Sequence, residues 1–439
     1  MADRTRFAVV GLGSRSRMFT TALLADYPDR AELVAICDTN SARMRYQQSV
    51  FTEKYGAPEL PAYPAADFVR MLKERNVDKV IVTSVDRTHN HYIVAAMENG
   101  CDVITEKPLT TDEKRCQSIL DTQRRTGRDL TVSFNYRYSP RNSAVKELLQ
   151  SGAIGDVLSV HFEWLLDTRH GADYFRRWHR DKRNSGGLMI HKASHHFDLV
   201  NWWLGSTPET VFGFGGLRFY GLDNAESRGE RPRHYRSHGS PDLKTDPWAL
   251  DMESDPVLRA LYLDAESEDG YLRDRDVFTD GISIEDDMAV LVRYASGATM
   301  SYHLTAYSPW EGYRVMFNGT RGRVELDVTE RSYVSGGEAD PNAPGVPVDG
   351  EPIDEARLLL RPTWEAPRQV PIEEGSGGHG GGDRRLLNDL FGGAGEPDPL
   401  GRAATHIDGA YAMLVGAAAN RCFNTGQPVR IADLVDFPG

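Results

Sequence analysis

Cysteine is scarce: there are four in 439 residues, at positions 37, 101, 116 and 422. They are widely spaced and form no Cys-x-x-Cys pair, which argues against a zinc ribbon and points to reduced thiols in a cytoplasmic protein. Positive charge is also short. Lys and Arg number 51 against 64 Asp and Glu, a net charge of −13, so nucleic acid and anionic membranes are not expected partners. No apolar run reaches the ~18 residues of a membrane span. The six residues Met-Ala-Asp-Arg-Thr-Arg before the first apolar run leave no room for a secretory h-region. No internal repeat is present. Hydrophobic residues make up 40% of the chain, enough for sizeable cores, and the length suits two or three domains.

The organising stretch begins at Phe7. An apolar run of strand length, residues 7–10, meets Gly11-Leu12-Gly13, and a helix-length segment covers about residues 16–27. A strand, a tight glycine turn and a helix start are the beginning of a dinucleotide-binding fold. Gly11 permits the turn. Gly13 has no Cβ, so the backbone can approach a pyrophosphate, with Ser14, Arg15 and the helix-start amides beside it. Ser16 stands where the fingerprint has its third glycine; it is small enough to keep helix and strand close. A second strand, residues 32–37, ends at Asp38, 25 residues past Gly13. An acidic side chain there accepts hydrogen bonds from the ribose hydroxyls of NAD and repels the 2′-phosphate of NADP. NAD is the expected cofactor.

Strand and helix patterns then alternate. Helices are expected at 41–55, 67–75, 89–99 and 111–126, and strands at 79–83, 102–105 and 130–134. This pattern predicts a doubly wound parallel sheet in a domain of residues 1–130. Beyond it the pattern changes. A long apolar strand at 157–166 precedes a helix at 186–204, closed by Gly205. Strands at 287–294, 299–305, 313–317 and 323–327 are joined by glycine-containing turns such as Ser296-Gly297. Residues 131–439 therefore read as an α+β domain with an open, mostly antiparallel sheet. A helix at 384–390, a long one at 403–424 and a strand at 427–431 close the chain. Two stretches, 221–280 and 335–356, lack periodicity and read as surface insertions. The first is long enough to be a lid or an oligomer contact.

Glu106-Lys107-Pro108 lies at the C-terminal end of a parallel strand, the edge where such sheets bind ligands. A lysine held there can polarise a hydroxyl and stabilise a developing alkoxide. On the expected helix at 186–204, His191 and His195 are four apart and share one face, polar among residues such as Met189, Phe197 and Trp202. A zinc site would need a third ligand, with His379 or Asp383 the attractive ones; no metal is expected. His379 sits in a Gly-Gly-His-Gly-Gly-Gly-Asp run ending at Asp383.

Together these features resemble the Gfo/Idh/MocA oxidoreductases, the family of glucose–fructose oxidoreductase and inositol dehydrogenase. The resemblance rests on Gly11-Leu12-Gly13, Asp38, the segment Thr83-Ser-Val-Asp-Arg-Thr-His89, and Glu106-Lys107-Pro108 seventeen residues after His89. It extends to Phe134-Asn-Tyr-Arg137, the His-x-x-Asp helix and the glycine-rich stretch. It implies a Rossmann domain followed by an open-sheet domain, with nicotinamide between them and Lys107 in the catalytic pocket. It implies cofactor contacts from Ser84, His89, Glu106, Lys107 and Asn135 beside the glycine turn and Asp38. His195 matches the family's catalytic histidine and Asp198 its final aspartate. His191 replaces the leading aspartate of the motif and Ala193 its glycine.

Oxidising a secondary alcohol needs a base for the O–H proton, a cation for the oxygen, and a C–H placed over nicotinamide C4. His195 is expected as the base, because imidazole titrates near pH ~6.5. Lys107 is expected to steady the oxygen, and His191 to bond a neighbouring hydroxyl or relay a proton. Arg137, Trp178, Arg180, Asp198 and His379 are the expected substrate contacts, with Tyr174 and Trp310 as further aromatic walls. The expected activity is hydride transfer between NAD and a secondary hydroxyl of a sugar, glycoside or cyclitol. One alternative is a redox-neutral glycosidase, lyase or epimerase working through a keto-sugar on tightly held NAD. The other is a non-catalytic NAD-binding regulator, against which Lys107 and His195 speak. A homodimer or homotetramer is expected.

Overall fold

The computed structural model describes residues 4–230, 234–334, 355–373, 381–393 and 397–437. Six strands form the first sheet: β1 (Thr5–Val10), β2 (Ala31–Asp38), β3 (Ala62–Pro64), β4 (Lys79–Val82), β5 (Asp102–Thr105) and β6 (Leu130–Val132). They are all parallel, in the order β3-β2-β1-β4-β5-β6. Successive side chains feed opposite layers. Phe7, Val9, Ile81 and Ile104 pack with Phe19 and Phe51, whereas Ala8, Val10, Val80, Val82 and Val103 join the larger core. A sheet covered on both faces explains the continuous apolar runs. The helix Gly382–Phe391 returns to this sheet, where Phe391 meets Phe7 edge-on at 5.3 Å.

Among the described residues, nine strands form the second sheet: β7 (Val157–Asp167), β8 (Pro208–Gly216), β9 (Asp287–Tyr294), β10 (Thr299–Ser308), β11 (Glu311–Gly319), β12 (Gly322–Arg331), β13 (Glu355–Pro362), β14 (Arg368–Val370) and β15 (Val429–Arg430). Their order is β14-β13-β12-β11-β7-β10-β9-β8-β15, and all neighbours are antiparallel except β7 and β10. One face is covered. His196 stacks on Trp164 at 3.9 Å, and Phe197 and Trp203 meet Tyr302 and Phe317. The other face is open, with Phe214 and Leu291 exposed.

Three expectations change. The stretch 186–204 is not one helix. Leu188–His191 and Ser194–Leu204 are separate, and at the break the Ala193 amide reaches the Leu188 carbonyl five residues back. That wide turn ends the common face of His191 and His195. Second, residues 221–280 are not a surface excursion. Leu250, Met252, Leu261, Ala265 and Val277 are buried, and the short turns Pro256–Leu258, Arg259–Leu263 and Glu266–Asp269 lie against the first sheet's β1 and β2 ends. Third, β8, β13 and β14 have no counterpart in the sequence reading. Most of the second insertion, 335–354, lies outside the described residues. All four cysteines are buried and unpaired. No helix among the described residues is long and apolar enough to cross a membrane.

Candidate active site

The glycine turn is built as a cradle. Gly11 has φ +90°, and a Cβ there would stand 2.5 Å from the Ser84 backbone. Glycine therefore lets β1 and β4 come together at the sheet's C-terminal edge. Asp38 is buried at the end of β2, and its carboxylate accepts the Leu12 amide at 2.6 Å and the Asn40 amide at 2.8 Å. Each carboxylate oxygen keeps acceptor capacity, so a ribose hydroxyl fits beside it. Ser14 presents its amide and hydroxyl at the helix start, both engaged by the Tyr262 hydroxyl at 3.1 and 3.0 Å. Small residues, helix-start N–H groups and a terminal carboxylate that accepts from a ribose are the parts a dinucleotide cradle requires.

Next to the cradle, Arg15 pairs with Glu106 at 2.6 Å. The following Lys107 is the centre of the site. Its Nζ donates to the His191 carbonyl at 2.9 Å and lies 3.4 Å from His191 Nε2. His191 Nδ1 in turn lies 2.6 Å from Asp86 Oδ2. With Asp86 ionised, Nδ1 carries the proton and Nε2 presents a lone pair to Lys107. A neutral lysine has two N–H bonds. His191 offers an acceptor for each, which leaves the nitrogen lone pair directed at a third position. Burial pulls the Lys107 amine down to about 8, against the opposing charges of Asp86 and Glu106. Burial, then the Lys107 charge, holds His191 well below the usual imidazole range. Burial pushes the Asp86 carboxyl up, and Lys107 and Arg177 oppose it.

His179 completes the group. Its ring meets that of His191 at 4.0 Å and stacks on Trp178 at 3.5 Å. Neither His179 nitrogen has a hydrogen-bond partner among the described residues, so the ring can bond a substrate hydroxyl. Tyr174 stands edge-on to both histidines at 5.5 Å. Asp86, His179 and His191 offer ligand atoms within 4.8 Å of one another. The Asp86–His191 hydrogen bond and the Lys107 amine already engage two of these groups, which leaves His179 as the open member of the set.

The other expected residues divide. Trp178 borders the cluster. His195 stands edge-on to Phe134 and Tyr136, at 5.8 and 4.7 Å. Asn135 donates to Asp383 at 2.6 Å, tying the glycine-rich stretch's end to the domain junction. Ser84 packs on Gly11. His89 is enclosed, and its ring nitrogens face the carbonyls of Pro108 and Ser84; it braces the Lys107 loop and has no face left for a cofactor. Arg137 and Asp198 are not substrate contacts. They are buried against each other, with bonds of 2.8 and 2.6 Å, and Arg137 also holds Asp408. Arg180 spends its guanidinium on the carbonyls of Asp276, Thr279 and Asp280, fastening the end of the insertion. Trp310 lies under Arg314 on the second sheet. His379 lies outside the described residues. Asp86, His179 and Tyr262 were missed. Asp86 sits four residues past β4, in the segment already singled out, and the sheet-edge rule could have found it; the other two carry no local signal.

Comparison with known proteins agrees with the fold. Residues 5–134 match the model "Oxidoreductase family, NAD-binding Rossmann fold", and residues 146–431 match "Oxidoreductase family, C-terminal alpha/beta domain". YteT of Bacillus subtilis is 34% identical, over 97% of each chain. The scyllo-inositol 2-dehydrogenase (NAD(+)) of the same organism is 25% identical over 49% of this chain and 59% of its own. The solved aldose-aldose oxidoreductase of Caulobacter crescentus superposes with a TM-score of 0.62 at 17% identity, covering 98% of this chain and 100% of its own.

Proposed function

The chain belongs to the Gfo/Idh/MocA oxidoreductase family, and from that premise we propose an NAD-dependent dehydrogenase acting on a secondary hydroxyl of a sugar, glycoside or cyclitol. The observation that carries this reading is the chain Asp86–His191–Lys107 at the C-terminal edge of the first sheet. NAD, when bound, supplies the hydride acceptor. Lys107 takes the hydroxyl proton, because an amine near pH 8 is matched to that task. Once protonated, its new N–H lies on the substrate oxygen; in the reverse direction it returns the proton. His191 and Asp86 are positioning residues that fix the direction of the lone pair. His179 and Trp178 bind the sugar's polar edge and its C–H face, and His195 borders the substrate. Asp38 favours NAD over NADP.

In this reading residues 1–130 hold the cofactor. Residues 131–439 hold the substrate and pair with a second copy, in the cytoplasm. The test is absorbance of reduced nicotinamide with NAD and a panel of pyranoses, glycosides and inositols. NADH should accumulate with one of them, and Lys107→Ala should lower kcat by about 10²–10⁴-fold. A fully active variant would overturn the assignment. One observation supports a second reading, a redox-neutral reaction on retained NAD: the Tyr262 hydroxyl and its segment span the glycine turn. Substrate consumed by mass spectrometry without NADH would favour that reading.

A further inference from the structure

The insertion meets the cofactor domain at the glycine turn, through Tyr262, and at the end of β2, where it does so with carboxylates. Glu268 accepts the Ser41 amide at 2.5 Å, the Ser41 hydroxyl at 2.7 Å and the Ala42 amide at 3.2 Å. Arg45 bonds the same carboxylate at 3.2 Å and the Ser41 hydroxyl at 2.6 Å. Asp269 takes Arg43 at 2.9 Å and the Asn40 side-chain amide at 3.0 Å. The neighbouring contacts are backbone ones: Arg43 donates to the Leu261 carbonyl and Asn40 to that of Ala265.

Without the insertion, the donors left beside Asp38 would be the Ser41 amide and hydroxyl and the guanidinium groups of Arg43 and Arg45, next to the Ala42 amide that Asn40 caps. That is the chemistry of a phosphate site, located where a dinucleotide's adenosine ribose carries its 2′ substituent. The Asp38 carboxylate alone opposes a phosphate there. The insertion adds two more carboxylates and consumes every donor.

We propose that Glu268 and Asp269 are specificity-determining residues, internal anions that occupy a latent 2′-phosphate site and so reserve the cradle for NAD. This rests on the reading that the first domain binds NAD. The role falls to a segment far from β2 in sequence, so selection against NADP is coupled to the docking of the insertion.

The experiment measures binding, not turnover. NAD⁺ and NADP⁺ are titrated into the full chain by calorimetry, for the unsubstituted protein, Glu268→Gln, and Glu268→Gln with Asp269→Asn. The unsubstituted protein should prefer NAD⁺. The ratio of the NADP⁺ to the NAD⁺ Kd should fall at least about tenfold in the double variant and by a smaller factor in the single one, and the gain should weaken with salt. An unchanged ratio, or equal changes for both nucleotides, would overturn the proposal. The single glutamine variant keeps the shape of the side chain, and its circular dichroism reports folding independently. If the unsubstituted protein binds neither nucleotide, the NAD reading itself fails, and that outcome is distinct from NAD⁺ binding with an unmoved ratio.

Discussion

Lys107 titrates where its proposed chemistry needs it to. Below pH about 8 the amine is protonated and cannot accept the hydroxyl proton. For oxidation, kcat/KM should therefore rise by about tenfold per pH unit below pH 8 and level off above it, while in the reduction direction it should be level below pH 8 and fall by about tenfold per unit above it. Asp86 holds this value up by its negative charge, so Asp86→Asn should move the inflection to lower pH. It should also lower kcat, because the His191 tautomer is no longer fixed. His191→Gln should lower kcat more than His195→Gln, since His191 bonds Lys107 directly; stopped-flow and steady-state profiles of the four proteins check this order. Arg137 belongs to a different account. Its ion pair with Asp198 is buried at both ends, with side chains 2% and 1% exposed. Removing Arg137 leaves the buried carboxyl either charged and unpaired or forced to bind a proton, so Arg137→Ala should cost about 3–5 kcal/mol in denaturant unfolding above pH about 7, where the pair is ionised. The loss should shrink at acid pH, because burial already pushes Asp198 up to about 7 and without Arg137 it protonates more readily.

At the scale of elements, the glycine turn shows how a local rule becomes a site. A methyl group on Gly11 would meet the backbone of Thr83 and Ser84, which cannot move as a side chain end can, and φ +90° is itself strained for alanine. Gly11→Ala should cost about 1–3 kcal/mol of stability and weaken NAD binding in calorimetry. This turn, the parallel strands and the Lys107 edge were legible in the sequence because each follows from local order: glycine freedom, continuous apolar runs of strand length, the end of a parallel strand. The break between His191 and Ser194 was not legible, because apolar residues continue across it and the wide turn is made by backbone bonds. The insertion was opaque for another reason. Its docking uses polar pairs such as Asn40 with Ala265 and Ser14 with Tyr262, 225 and 248 residues apart, and no periodicity encodes those. His179 was hidden likewise, since its place beside His191 comes from tertiary packing alone.

On the scale of the whole molecule, the second sheet has one face still to account for. The inner face is filled by His196, Phe197 and Trp203 from the helix Ser194–Leu204. The outer face carries Phe212, Phe214, Leu291, Met316, His161 and His303 around a hollow of about 420 Å³. Phe214 is 68% and Leu291 57% exposed. A broad apolar patch rimmed by polar groups marks an interaction surface, and a sheet face presented to its own copy makes a self-complementary one. A stable contact of this kind buries roughly 1,200–2,000 Å² in total, which a nine-stranded face can supply. Leu291→Glu with Phe214→Glu should therefore reduce the mass measured by light scattering to that of one chain. Lys107 and His191 lie on the helix-covered side of the molecule, and the cradle belongs to the other sheet, so NAD⁺ affinity of the dissociated variant should stay within about threefold. A monomer that also loses NAD⁺ would mean that pairing shapes the cradle from a distance, through the insertion, which bonds the β2 end and whose last residues, on the approach to β9, are fastened by Arg180.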